Sequence, residues 1–334
     1  MDKTVSYSPL RISFGGGGTD ISPFPEKYGG AVLNTTIDRG VTSWYMPDQY
    51  GLEISSRDFL KSFVLNESPE SKDLLNKILG LFEMHGIRKG RVMLNGDVPP
   101  GSGLGSSSAL TTSLLNLIYS INHEKRTWRE IADEAFRLEK DYFGVILGKQ
   151  DPYAIAMGGF KYMEFVGDGV QVTPLNQFSD FISNLEKRTL LLYTGRTRES
   201  SQVLKEQVVS SSLGDETTLG NLKDMKRIAQ DMKSCVTSGN MDGFIELINE
   251  GWEIKKKFGK NVTNDQIDRI IEKSKSSGAQ GAKLMGGGSQ GFILMIAREG
   301  KIEELQKEMM SFSDLVIRVN YDRLGIRMGS TTPS

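Results

Sequence analysis

Cysteine occurs once in 334 residues, at Cys235, so no internal disulfide can form. The residue sits in a helical pattern and reads as a small buried hydrophobe. Histidine occurs twice, at His85 and His123. Neither has a partner at metal-ligand spacing, which argues against a Cys/His metal site. No apolar run approaches the ~20 residues of a membrane span. The opening MDKTVSYSPLRISF has no apolar signal-like region. An excess of either charge is lacking too: 41 basic residues stand against 42 acidic ones, a formal net charge of -1. Neither nucleic acid nor a membrane is therefore an expected partner. The expected location is a reducing cytoplasm.

Glycine is the opposite case, with 37 residues that cluster. The chain is longer than one core usually serves, which implies two domains or one two-lobed unit. Residues 4–14 read as a strand, and 31–46 as one or two more, rich in β-branched and aromatic residues; 51–65 continue the β-rich part. Residues 71–86 read as a helix with Leu74, Ile78, Leu81 and Phe82 on one face and Gly86 at its end. Residues 91–100 read as another strand. Thr127 and Glu130 form a capping box for a helix with the stripe Trp128, Ile131, Ala135, Leu138 and Tyr142. Strands are expected near 160–173 and 188–194. Helical periodicity follows at 219–238, 241–257, 264–276 and 301–311, with strands at 291–297, 314–320 and 324–329. Strands interspersed with helices, without strict alternation, indicate an α+β fold rather than a doubly wound sheet. The polar stretch 175–187 is the best boundary, giving domains 1–180 and 181–334.

The most informative segment is VPPGSGLGSSSALTTSLLNLIYSI, residues 98–121. Leu110, Leu114, Leu117, Ile118 and Ile121 stand at helical spacing, so a helix begins near the serines. Free N–H groups at a helix start bind anions, phosphate above all. Glycines let backbone approach the anion, and a serine hydroxyl can ligate Mg²⁺. A flexible linker is the alternative, opposed by Pro99 and Pro100 on one side and the helix on the other. The Walker A form needs a lysine, absent after Gly105, and the dinucleotide form needs glycine where Ser106 stands.

PPGSGLGSSSA does resemble the second motif of the GHMP kinases, the family of galactokinase and of homoserine, mevalonate and phosphomevalonate kinases. SPLRISFGGGGTD (8–20) resembles the family's first motif, and GAKLMGGGSQGFILMI (281–296) its third. The resemblance implies a two-lobed fold, with an N-terminal β-rich/α lobe and a more helical C-terminal α/β lobe. It implies ATP and Mg²⁺ as cofactors. ATP would lie over Pro100, Gly101, Ser102, Gly103, Leu104, Gly105, Ser106, Ser107 and Ser108.

Phosphoryl transfer needs positioned phosphates, a cation, and a group that orients the attacking hydroxyl. By the resemblance, Asp151 in GKQDPYA is the base and Arg11 in PLR the basic residue that pairs with it. A turn residue before Pro152 is the plainer reading of Asp151. Glu139 faces the apolar stripe of its helix with no basic residue four positions away, so a metal is a natural partner. A solvated helix glutamate is its alternative. The family match pairs Glu139 with Ser107 on Mg²⁺, with the register between Ser106 and Ser107 left open. Asp20 would bind sugar hydroxyls, flanked by Gly17, Gly18 and Thr19. Galactokinases carry Glu-His where this sequence has Gly17 and Gly18, which argues against galactose. Gly287 and Gly288 of the third motif would close over the substrate. Arg196 and Arg198 would bind a substrate phosphate or else be solvated loop charges.

The first motif together with GKQDPYA is most similar to the heptose 7-phosphate kinase branch, near the fucokinases. That similarity implies phosphorylation of the anomeric hydroxyl of D-glycero-D-manno-heptose 7-phosphate, giving heptose 1,7-bisphosphate for nucleotide-activated heptose. The expected partners are thus a sugar phosphate and ATP, with a homodimer left open. A kinase of an unphosphorylated sugar such as L-fucose is the alternative. A catalytically silent sugar- or nucleotide-binding regulator on the same fold is another.

Overall fold

The computed structural model describes residues 3–56, 69–195 and 200–329. In its first half the strands are β1 (Thr4–Gly15), β2 (Gly30–Ser56), β3 (Lys89–Gly96), β4 (Phe160–Val166), β5 (Gly169–Pro174) and β6 (Thr189–Tyr193). The helices there are α1 (Phe24–Tyr28), α2 (Pro69–Met84), α3 (Ser106–Ile121), α4 (Trp128–Arg137), α5 (Gln150–Met157) and α6 (Ser179–Arg188). A π-helical turn, Leu138–Tyr142, extends α4. The second half adds α7 (Ser200–Ser212), α8 (Glu216–Ser238), α9 (Met241–Lys255) and α10 (Asp265–Ser276). It ends with β7 (Ala279–Leu284), β8 (Phe292–Ala297), α11 (Ile302–Met309), β9 (Val316–Arg318), β10 (Tyr321–Asp322) and β11 (Arg327–Met328).

The strands form two sheets. One has the order β11-β1-β2-β4-β5, with β3 and β10 also on β2; the other has the order β7-β8-β6-β9. Their pairings are antiparallel, except that the Gly51–Ser56 stretch runs in the same direction as Lys89–Leu94 of β3. The 31–46 stretch belongs to one long strand, and both arms of β2, Val41–Met46 and Gly51–Ser56, pair with β3. Residues 57–65 of the expected β-rich continuation lie outside the described residues.

Strand alternation in β1 does two jobs at once. Leu10, Ile12 and Phe14 are buried in a cluster with Met225, Ile228 and Phe244 from α8 and α9. Each such side chain contributes roughly 1.5–3 kcal/mol by leaving water. Arg11 and Ser13 point the other way and meet the first turn of α5. The largest core cluster therefore runs across both halves of the chain.

Several elements differ from the sequence reading. The polar 175–187 stretch is largely helical as α6, which buries Phe181, Ile182 and Leu185 and leaves its polar residues outside. Residues 150–157, given no element by the sequence reading, form helix α5, and the plainer reading of Asp151 as a turn residue gives way to a first-turn position; proline is tolerated there, where N–H groups have no helical partner. The 314–320 strand shrinks to β9, and the 324–329 strand to β11. Between them β10 pairs with β2, and β11 pairs with β1, so the chain returns to the first sheet. No helix among the described residues is long and apolar enough to cross a membrane.

Candidate active site

Arg11 and Asp151 lie 140 positions apart and meet side by side. Arg11 Nε donates to Asp151 Oδ1 at 2.7 Å and Nη2 to Oδ2 at 2.8 Å. Nη1 donates to the carbonyl of Gly103 at 2.6 Å. The guanidinium fork thus fixes the carboxylate plane and ties it to the glycine-serine loop. Arg11 is almost wholly buried, whereas the Asp151 side chain keeps 23% of its exposure. The carboxylate is therefore reachable from outside.

The loop lies directly against this pair. Gly105, with φ 76° and ψ 26°, stands at the N-cap of α3. A Cβ there would sit 3.3 Å from Arg11 Cγ and 3.5 Å from Asp151 Oδ2. No side chain caps the helix start, and no acidic residue stands in its first turn. The first N–H groups of a 16-residue helix are thus left for an anion beside Asp151. Leu104 and Ser102 are buried, so they offer mainly backbone. Ser106 and Ser107 border a cleft of about 310 Å³ that also includes Pro100 and Gly101. Val41, Leu94, Val98, Leu110, Phe143 and Val145 give it an apolar lining. Sequence reasoning missed this cleft, because its walls come from separate elements and carry no local motif.

The π-helical turn brings Glu139 to the loop. Phe143 N–H bonds to Leu138 O at 2.8 Å, five residues back. Such turns re-aim side chains at functional sites. Glu139 is 1% exposed, and Ser107 donates its hydroxyl to Oε2 at 2.7 Å. Of the two serines left open as its partner, Ser107 is the one that bonds Glu139. Oε1 is buried with no hydrogen-bond partner. Burial pushes the carboxyl up to about 7, against the pull of the Ser108 and Ser107 hydroxyls. An orphaned carboxylate oxygen next to a serine hydroxyl, at an uncapped helix start, fits a hard divalent cation such as Mg²⁺.

Asp20 also lies close to Asp151. Gly18 N–H donates to Oδ1 at 3.2 Å and Gln150 N–H to Oδ2 at 3.0 Å. Burial pushes Asp20 up to about 6, and the nearby Asp151 charge adds to this. Gly148 must be bare, since a Cβ there would fall 1.9 Å from Asp20 Oδ2. Ser13 donates to the Gln150 side chain at 3.1 Å; both residues brace the site and were missed, although Gln150 stood inside the quoted motif. Gly17 has open space around it, with only Ser13 Oγ at 3.7 Å from an added Cβ. The Thr19 hydroxyl is fully engaged with Gly16 and Ala31 backbone and is buried, so it staples the loop.

The third glycine motif locks onto the second. A Cβ on Gly286 would lie 2.6 Å from Gly103 Cα, and one on Gly291 would lie 2.7 Å from Ser102 O. Phe292 N–H donates to Ser102 O at 2.9 Å. Gly288 packs on Val262 backbone, and Gly287 lies between these contacts. Arg196 and Arg198 fall outside the described residues.

Similarity to known proteins follows the same layout. Residues 73–159 match the model of the GHMP kinases N terminal domain, and residues 228–313 that of the GHMP kinases C terminal domain. The chain is 30% identical to a D-glycero-alpha-D-manno-heptose 7-phosphate kinase of Campylobacter jejuni, over 97% of this chain and 98% of that protein. A bifunctional fucokinase/GDP-fucose pyrophosphorylase of Arabidopsis thaliana is 25% identical over 95% of this chain, which spans 32% of that protein. The crystal structure of a D-glycero-D-manno-heptose 1-phosphate kinase from Bacteroides thetaiotaomicron superimposes with a TM-score of 0.77 at 24% identity, covering 99% of this chain and 100% of that one.

Proposed function

Because the chain belongs to the GHMP kinase family and is a phosphotransferase acting on a sugar hydroxyl, we propose that it moves the γ-phosphoryl group of ATP to the anomeric hydroxyl of D-glycero-D-manno-heptose 7-phosphate. The product is heptose 1,7-bisphosphate, which feeds the synthesis of nucleotide-activated heptose. The observation that carries the transfer chemistry is the bidentate Arg11–Asp151 pair beside an uncapped, glycine-led helix start. The near full-length likeness to the Campylobacter protein supports the sugar.

In this reading the apolar cleft takes the nucleotide base and the first N–H groups of α3 hold the phosphates. Ser107 and Glu139 would hold Mg²⁺, which offsets phosphate charge when bound. Arg11 keeps the Asp151 carboxylate in one orientation, and Asp151 accepts the proton of the anomeric hydroxyl. Asp20, fixed by two backbone N–H groups, orients the sugar ring, and bare Gly17 leaves it room, while Gly18 lies against the Gln207 side chain. Arg198 is our candidate for the sugar's own phosphate. Residues 1–180 form the nucleotide-binding domain and 181–334 the second domain, with β10 and β11 completing the first sheet. The need for ATP assigns the protein to the cytoplasm.

The test is turnover of ATP with Mg²⁺ against heptose 7-phosphate, the unphosphorylated heptose, L-fucose and D-galactose, with Asp151→Ala as control. Turnover with the 7-phosphate alone, lost in the control, is expected. Preference for an unphosphorylated sugar would favour the fucokinase-like alternative and remove the heptose phosphate.

A further inference from the structure

Each of the three glycine motifs is fastened by a buried or partly buried cation reaching in from elsewhere. Arg11 holds the second motif through Gly103 O at 2.6 Å. Lys283, on β7, holds the base of the first motif through Ser13 O at 3.1 Å and Phe14 O at 2.9 Å. Lys255, the last residue of α9, donates to Gly286 O of the third motif, with Leu284 O at 3.5 Å. The three cations are close enough to act on one another. Desolvation and then the Arg11 charge push Lys255 down to about 8. Burial and then the charges of Lys255 and Arg11 push Lys283 far down. Among the described residues no carboxylate acts on either lysine. Asp151 answers Arg11 alone.

A desolvated ammonium with so few counter-charges is costly unless it gives up its proton or an anion joins it. Lys283 is 5% exposed and has two short carbonyl partners, so it serves as a strut. Lys255 differs. It is partly exposed, and its flexible stem ends where Gly286 touches Gly103 of the phosphate loop. Resting on the kinase reading above, we propose that Lys255 is a phosphoryl-contacting residue, which carries the charge of the transferring group together with Arg11. A compact ammonium suits a group whose oxygens move during transfer. The phosphate of the sugar is a second source of the same chemistry. The contact between Gly286 and Gly103 favours the nucleotide.

The experiment measures binding without sugar. Wild-type protein, Lys255→Met and Lys255→Arg are titrated calorimetrically with Mg²⁺-ADP and with a non-hydrolysable Mg²⁺-ATP analogue. Lys255→Met is expected to weaken the triphosphate analogue about tenfold or more, while ADP affinity holds within about twofold. Lys255→Arg, which keeps the charge, is expected to retain most of the triphosphate preference. In turnover, Lys255→Met should lower kcat with little change in the KM for sugar. Equal loss for both nucleotides would make Lys255 a strut of the third loop and overturn the proposal. So would unchanged binding of both, or an effect confined to the KM of a phosphorylated sugar. Wild-type protein that binds neither nucleotide would overturn the kinase reading itself.

Discussion

Arg11 grips both carboxylate oxygens of Asp151, at 2.7 and 2.8 Å, while its third nitrogen holds the carbonyl of Gly103. One guanidinium therefore sets the distance between the Asp151 carboxylate and the glycine-serine loop. Lysine cannot make this three-way contact. Asp151→Asn is expected to lower kcat by roughly 10²–10⁴-fold, the usual worth of a positioned base. Arg11→Lys should also lower kcat, by about tenfold or more, with both proteins still folded by circular dichroism.

Glu139 makes the metal-free protein sensitive to pH. Its carboxyl is raised by burial from 4.5 to about 7. Between those values the folded protein holds the proton and the unfolded chain does not, so raising the pH removes stability. Glu139→Gln should therefore raise the Tm above about pH 7 in a chelator, with the difference vanishing toward about pH 4.5. Mg²⁺ should stabilise the wild type and leave Glu139→Gln almost unaffected. Thermal melts across that range check both.

Gly103 meets the backbone of the third motif, and a Cβ there would lie 2.8 Å from Met285 O. A backbone oxygen cannot swing aside as a side chain can. Gly103→Ala is thus expected to push the two loops apart, at a cost of about 1–3 kcal/mol from the strained φ. Nucleotide KM should rise, as read by steady-state kinetics.

Val145 stands at the cleft and is 37% exposed. Its replacement should leave folding intact. Val145→Asp is expected to raise the KM for ATP about tenfold, by putting a charge against the base, while the KM for sugar is unchanged.

Thr19 and Asp20 are neighbours with different duties. Thr19→Val removes a hydroxyl that bonds three backbone groups and should cost about 1–3 kcal/mol of stability. Asp20→Ala should instead raise the KM for sugar. Denaturant unfolding and kinetics on the two variants separate the roles.

What the sequence revealed follows from range. The helix start near Ser106, the capping box of Thr127 and Glu130, and the strand over 4–14 are local patterns, and the structure has them all. The π-helical turn at Glu139 was hidden, because its apolar stripe counts equally well as α-helix through Tyr142. Lys255 and Lys283 looked like ordinary lysines. Only the meeting of α9, β7 and β1 makes them desolvated. The strand expected at 324–329 survives as β11, whereas Tyr321–Asp322 of β10 was not legible, and the return of both to the first sheet depends on pairing with strands roughly 280 to 320 positions away.

The most direct measurement is phosphorus NMR of the product formed from ATP, Mg²⁺ and D-glycero-D-manno-heptose 7-phosphate. A new phosphate resonance coupled to the anomeric proton, absent with Asp151→Asn, is the expected result. ATP hydrolysis without a sugar-linked phosphate, or a phosphate on any other hydroxyl, would contradict the assignment of Asp151 to the anomeric position.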